Sequence, residues 1–317
     1  MTTERIPGLE ARQMHGFLVA NRWLIARRVT QVGFFMLFAT GPWFGLWIAK
    51  GTLASSVTLG VLPLTDPLIL LQSLLAQHVP ETNAIIGALI VVVAYLLIGG
   101  RIYCSWVCPI NPVTDFAAWC RRKLGIGKGW ALNPQSRLWV LGAVLISSAA
   151  TGTIVFELIN PITTLYRGLL FGVSWGLMSV VLIFLFDVFV AKQGWCGHVC
   201  PVGAFYGLLN ETALLRVSAR HRERCDDCMD CYNVCPEMHV ISPALKGTTN
   251  GKGPIITSRD CTSCGRCIDV CPQRVFTFAH RFDLRVNSMV PMQHLELKGS
   301  PDGTMDQQGV LTQGGER

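Results

Sequence analysis

Two runs of four cysteines constrain this chain more than any other feature. They read Cys225-x2-Cys228-x2-Cys231-x3-Cys235-Pro236 and Cys261-x2-Cys264-x2-Cys267-x3-Cys271-Pro272. This is the bacterial spacing for [4Fe–4S] clusters, in which three close thiolates wrap three corners of a cubane and the fourth comes from the other run. One cluster is therefore expected on Cys225, Cys228, Cys231 and Cys271, and a second on Cys261, Cys264, Cys267 and Cys235. Zinc is the rival, but zinc sites need only four ligands and do not call for a doubled triad with a trailing proline. The polar stretch 216–286 is expected to be a bacterial-type 2[4Fe–4S] ferredoxin-like α+β domain. The segment 287–317, rich in Gly, Gln and Ser and without an apolar period, is expected to be disordered.

The rest of the chain has a different composition. Half of the 317 residues are hydrophobic, 15% are charged and the mean hydropathy is +0.41, against about 25% charged in ordinary soluble domains. That excludes disorder over most of the length, and the chain is too long for a small disulfide scaffold. Four stretches, 29–49, 82–100, 138–156 and 168–186, carry no charge and approach the ~20 residues that a bilayer-spanning helix takes. The expected fold is membrane α-helical, with a four-helix transmembrane domain over 29–215 after a cytoplasmic segment 1–28.

Lysines and arginines then suggest an orientation. Arg5, Arg12, Arg22, Arg27 and Arg28 precede the first stretch, and Arg101, Arg121, Arg122, Lys123, Lys128 and Arg137 link the second to the third. The other two links hold only Lys50 and Arg167. By the positive-inside rule this places a multi-pass protein in the bacterial inner (cytoplasmic) membrane with both termini cytoplasmic. The net charge of +7 is read as topology, so no nucleic-acid partner is expected. The segment 59–77, with Pro63, Asp66 and Pro67, is poorly suited to a straight spanning helix and reads as a re-entrant segment or an external loop.

A repeat closes the second and fourth stretches: Cys104-x3-Cys108-Pro109 and Cys196-x3-Cys200-Pro201. Three readings stand for these four thiols: a metal or additional cluster site, a dithiol–disulfide pair, or packing at helix ends. Cys120 matches no motif and reads as a lone buried thiol. No haem-attachment, Walker or dinucleotide fingerprint is present. The residues alone thus describe a membrane electron-transfer protein with two clusters and a lipid-soluble donor.

Over roughly 20–285 the chain resembles the NapH/MauN family of membrane ferredoxin-type proteins, and its NapH type in particular. The resemblance is carried by the paired repeats, the eight-cysteine tail, Asp66-Pro67 followed by Leu68-Ile-Leu-Leu71, Asn160-Pro161 with Tyr166-Arg-Gly168, and Trp195-Cys-Gly-His-Val-Cys-Pro-Val-Gly-Ala-Phe-Tyr206. It implies a quinol dehydrogenase component serving periplasmic nitrate reductase, with a periplasmic ferredoxin-type partner (NapG-like) and a membrane multihaem cytochrome as further partners. Quinol oxidation releases protons, so Asp66, His78 and Glu157 become the candidate catalytic acceptors. The alternative function is cofactor maturation or copper reduction, because proteins with the same Cys-x3-Cys-Pro repeats are found in that class too.

Overall fold

The computed structural model of the chain describes residues 6–127, 129–130, 133–172, 176–247 and 251–283. The expected disordered tail 287–317 lies outside the described residues. The order is α1 (Leu9–His15), α2 (Arg22–Phe44), β1 (Ala49–Gly51), β2 (Ser55–Thr58), β3 (Leu62–Thr65), α3 (Pro67–Leu75), α4 (Thr82–Ile98), α5 (Ile110–Lys123), α6 (Ser136–Thr151), α7 (Val155–Ile159), α8 (Pro161–Phe171), α9 (Gly176–Leu185) and α10 (Pro201–Leu209). The cysteine-rich part follows, with β4 (Leu215–Ser218), α11 (Asp230–Val234), α12 (Ile241–Lys246), α13 (Arg266–Asp269) and β5 (Thr277–His280). β1, β2 and β3 form an antiparallel meander, and β4 pairs antiparallel with β5, Leu215 opposite His280 and Ser218 opposite Thr277.

Among the described residues no helix is long and apolar enough to cross a membrane. This overturns the expected four-helix transmembrane domain. The placement as a multi-pass inner-membrane protein with both termini cytoplasmic falls with it. The physical reason lies in where the helices stop. The first apolar stretch shares α2 with Arg22, Arg27 and Arg28, contains Pro42 and leaves the helix at Gly45 (φ 73°) before turning into β1. α4 has 17 residues, or about 25 Å at 1.5 Å per residue against a hydrocarbon core of ~30 Å. α6 ends after 16 residues at Gly152 (φ 67°). The fourth stretch is divided between the end of α8, which stops at Gly172 (φ 98°), and the ten-residue α9.

The arginine pattern is corrected too. The positive-inside reading treats Arg27, Arg101 and Arg137 as charges at a membrane face, yet they are 0%, 1% and 2% exposed inside the protein.

The segment 59–77 is not a re-entrant loop but the end of the meander followed by α3. Asp66 caps this helix, its Oδ1 accepting from the Leu68 N–H at 2.8 Å, with Pro67 in the first turn. Asn160-Pro161 starts α8 in the same way, Asn160 Oδ1 accepting from the Ile162 N–H at 3.0 Å. In both cases the short polar side chain satisfies a free helical N–H, and proline has none to lose.

Two main cores result. Leu68, Tyr103, Ile110, Phe156, Ile162, Val202 and Tyr206 belong to the helical one. Val217, Ile241, Ile256, Ile268, Val275 and Phe276 belong to the cysteine-rich one. Gly100 makes the close approach beside α10 possible, since a Cβ there would sit 2.1 Å from the Tyr206 carbonyl oxygen. α1 ties the N-terminal segment to the cysteine-rich part: the Gly8 N–H donates to Asp230 Oδ2 (2.8 Å), and His15 Nε2 hydrogen-bonds the Pro272 carbonyl (2.7 Å).

Candidate iron–sulfur site

The eight tail cysteines surround two hollows. Cys225, Cys228, Cys231 and Cys271 line one, and Cys235, Cys261, Cys264 and Cys267 line the other. Each hollow thus takes three thiols from one run and the fourth from the other. The hollows are neighbours, since Cys231 and Cys267 interact electrostatically.

The two loops are wound alike. Asp227 (φ 56°) and Met229 (φ 64°) flank Cys228, and Ser263 (φ 47°) and Gly265 (φ 72°) flank Cys264. Left-handed residues cost about 1 kcal/mol or more each outside glycine. Such winding turns successive backbone N–H groups into a concave surface suited to an anion.

Among the described residues no group of three or more His, Cys, Asp or Glu is placed to hold a single metal ion. Thiols standing around a hollow fit a multi-atom core, whose corners are spread, better than one zinc. A second observation favours an anionic core. The Arg27 guanidinium is fully buried, and its Nε, Nη1 and Nη2 find no hydrogen-bond partner. Of the eight thiols, Cys264 alone is held below its ordinary range: burial pushes it up, but Arg266 and then Arg27 pull it down further. The other seven are pushed up, in each case first by burial.

The paired repeats fold as copies. Tyr103–Val107 and Trp195–Val199 are single π-helical turns, closed by Cys108 N–H to Tyr103 O (3.0 Å) and Cys200 N–H to Trp195 O (2.9 Å). Cys108 and Cys200 are extended (ψ 123° and 115°), as residues before proline tend to be, and α5 and α10 follow directly. Cys104, Cys108, Cys196 and Cys200 come together: Cys104 acts on the other three, and Cys200 acts on Cys108 and Cys196. Asp187 is buried beside them and anchors the second turn, its Oδ1 accepting from the Trp195 N–H at 3.0 Å.

Between this quartet and the second hollow lies a buried ion network that the sequence reading missed. Arg101 Nη1 donates to Glu237 Oε1 (3.3 Å) and to the Asp260 carbonyl (2.6 Å), and Arg137 Nη1 donates to the same Glu237 oxygen (3.0 Å). Arg137 also pairs with Asp260, whose other oxygen is 2.9 Å from His239 Nε2. The same arginines reach back to the second repeat, at the carbonyls of Cys196 (3.5 Å) and Gly197 (3.4 Å). The available signal was position: Arg101 stands three residues before Cys104, and Glu237 directly follows Cys235-Pro236. Removing one member of such a network strands the others, at about 3–5 kcal/mol. Glu237→Ala is therefore expected to lower the melting temperature by roughly 10 °C, as read by a thermal melt of the cluster-loaded protein. Unchanged melting would mean that Arg101 and Arg137 are satisfied without Glu237.

Of the three candidate proton acceptors the structure brings two together and leaves His78 apart. Asp66 and Glu157 interact electrostatically, and Asp66 also takes a hydrogen bond from Tyr206. Tyr206 is 1% exposed and stacks on Tyr103 at 5.0 Å, with Tyr95 edge-on to both. Tyr103 adjoins Cys104, so the tyrosines lead from Asp66 to the quartet. The Asp66 carboxyl is raised to about 6, chiefly by burial, with the nearby Glu157 adding to it. Glu157 itself is half-buried and accepts from Asn160 Nδ2 (2.9 Å). His78 stands exposed after α3 and hydrogen-bonds the Gly152 carbonyl (3.1 Å).

Comparison with known proteins agrees with this geometry. Residues 224–275 match the 4Fe-4S dicluster domain family, and 82–127 with 171–222 match a 4Fe-4S binding domain family. The ferredoxin-type protein NapH of Haemophilus influenzae is 44% identical over 279 residues, 88% of this chain and 97% of that protein. The chain belongs to the NapH/MauN family of ferredoxin-type proteins. NapH of Escherichia coli is 44% identical over 88% of this chain and 96% of its own length. The methylamine utilization ferredoxin-type protein MauN of Paracoccus denitrificans is 49% identical over 86% of this chain and 95% of its own. No solved structure matches the chain significantly. As a NapH/MauN protein with 4Fe-4S domains, the chain is an iron–sulfur electron-transfer protein.

Proposed function

We propose that this protein takes electrons from a quinol and passes them through two [4Fe–4S] clusters to a ferredoxin-type partner. The reading that follows from the NapH type is a quinol dehydrogenase component whose electrons reach nitrate reductase through a NapG-like protein, with a multihaem cytochrome as a further partner. Cys225, Cys228, Cys231 and Cys271 would hold one cluster, and Cys235, Cys261, Cys264 and Cys267 the other. When bound, the clusters supply one-electron carriers whose potentials respond to local charge and solvent exposure. A quinol gives up two electrons and two protons, so two such carriers match its electron count.

The observation that most supports the reading is the pair of four-cysteine hollows beside a buried guanidinium that makes no hydrogen bond. The chain's own residues have separate tasks in it. Asp66 accepts a proton at its carboxylate, with Tyr206 holding that carboxylate in place. The Arg101–Glu237–Arg137 network fixes the second hollow against the paired repeats and keeps water out. The quartet Cys104, Cys108, Cys196 and Cys200 lies between the tyrosines and that network and serves as an additional redox or metal centre.

The test is reduction of the anaerobically purified, cluster-loaded protein by a short-chain quinol, followed by absorbance and EPR. Reduction by dithionite but not by any quinol would sink the quinol reading. Serine is close to cysteine in size but ligates soft metals poorly and forms no disulfide. Cys104→Ser or Cys200→Ser is expected to slow quinol-driven reduction by about tenfold while dithionite still reduces both clusters. Full quinol-driven rates in both variants would make the quartet a packing feature.

A further inference from the structure

The two hollows sit in opposite electrostatic settings. The charges acting on Cys225, Cys228 and Cys271 are those of Asp226, Asp227 and Asp230. Asp226 and Asp227 line that hollow and are solvent-exposed. Its nearby cation, Lys246, is paired with Asp227 at 2.8 Å.

The thiols of the second hollow are set deeper in the protein than those of the first, and arginines surround it. Arg266 lies in the loop between Cys264 and Cys267, and Arg27 approaches from α2. The approach follows from helix geometry. Trp23 packs on Gly265, where a Cβ would come within 2.7 Å of its side chain. Residues four apart share a helix face, so Arg27 meets the same loop one turn later.

Asp115 is the carboxylate nearest Arg27, with Oδ2 at 3.8 Å from Nη1. That carboxylate is already engaged by Arg28, Arg266 and the Gln193 amide (3.4 Å). Arg101 and Arg137 are balanced by Glu237 and Asp260. The group left over, buried and without a hydrogen bond, is the guanidinium of Arg27.

We infer that Arg27 makes the reduction potential of the cluster on Cys235, Cys261, Cys264 and Cys267 the higher of the two, so that electrons come to rest there before the outer cluster is filled. The inference rests on the two-cluster reading above. Adding an electron makes a cluster more negative. A guanidinium with little water between stabilises that form, and carboxylates oppose it. Burial alone works the other way, because it disfavours the added charge. A full positive charge in the same low-dielectric surroundings is equally unscreened, and it acts on the cluster directly. At the first hollow water weakens Asp226 and Asp227 while Asp230 is buried, and apart from the paired Lys246 the charges present are negative. Arg27 touches neither quinol nor partner in this account; it is a positioning charge.

The test is a potentiometric titration of the full cluster-loaded chain, monitored by EPR. Wild-type protein is expected to show two one-electron waves. Arg27→Gln should move the upper wave negative by about 59 mV, a tenfold change in its reduction equilibrium, and Arg27→Lys should restore most of it. Asp226→Asn with Asp227→Asn, at exposed positions, should move the lower wave positive and leave the upper one in place. The inference is overturned if Arg27→Gln leaves both waves where they were, or if the arginine and aspartate variants move the same wave. Should Arg27→Gln lose a cluster, the aspartate variant decides alone, and a shift of the upper wave overturns the assignment. A single wild-type wave from a protein holding about eight iron atoms defeats this inference only. Well below eight iron atoms defeats the two-cluster reading beneath it.

Discussion

Cys271→Ala should halve the iron of the purified protein, from about eight to about four atoms per chain, and the half that is lost should be the half far from Cys271 in sequence. Cys271 closes the run that begins at Cys261, but its thiol lines the hollow of Cys225, Cys228 and Cys231. Losing it leaves that hollow with three thiols and solvent access. The hollow of Cys235, Cys261, Cys264 and Cys267 keeps all four. The matched variant Cys235→Ala should do the reverse, and it should cost more stability, because the thiols of that hollow lie deeper and Glu237 lines it. Iron and sulfide analysis with EPR separates the cases. If Cys271→Ala instead destroyed the centre that Arg27→Gln perturbs, each run would ligate its own cluster, and the crossed assignment would be wrong.

The cluster loops were legible because their chemistry is local. Three thiols at a spacing of three converge on something small; the left-handed Asp227, Met229 and Ser263 between them are not glycine and left no such mark. The proline after the fourth cysteine forces the chain to turn away. The same locality made half of the paired repeats legible: proline sets Cys108 and Cys200 extended, whereas the π-helical turns before them left no mark that spacing could reveal.

The membrane reading failed for a complementary reason. Apolar composition says that a segment avoids water, but not where its helix ends. Gly45, Gly152 and Gly172 end theirs by adopting positive φ, and an isolated glycine in an apolar run is also tolerated within many helices. Arginines are ambiguous in the same way. A formal charge is identical on paper whether solvated or buried, and Arg27, Arg101 and Arg137 were counted as surface charges because their partners, Asp115, Glu237 and Asp260, lie 88, 136 and 123 positions away. The tyrosines are a similar case. Tyr95, Tyr103 and Tyr206 come from three separate elements, and only the fold stacks them between Asp66 and Cys104.

Asp66→Asn should slow quinol-driven reduction by about a hundredfold, within the range for removing a general base, and should abolish the acid limb of the pH profile. Asp66 is raised to about 6 by burial first, with Glu157 adding to the rise and the Leu68 N–H, the Tyr206 hydroxyl and the Ile69 N–H opposing it. The charged and titratable groups acting on it are thus Glu157, Tyr206, Tyr103 and Tyr95. Above about pH 6 it is a carboxylate able to take a proton. Below that it is already protonated, so the wild-type rate should fall as pH drops through this value. Stability has the opposite dependence. Because the folded carboxyl holds its proton more tightly than the unfolded one, raising the pH from the ordinary 3.8 through about 6 removes stability. Asparagine escapes that cost, and its Oδ1 can still accept from the Leu68 N–H as a helix cap. The variant should therefore melt no lower than wild type at neutral pH, which separates a lost proton acceptor from a damaged fold. A wild-type pH profile that persists in Asp66→Asn would move the proton acceptor elsewhere, with Glu157 the next to replace.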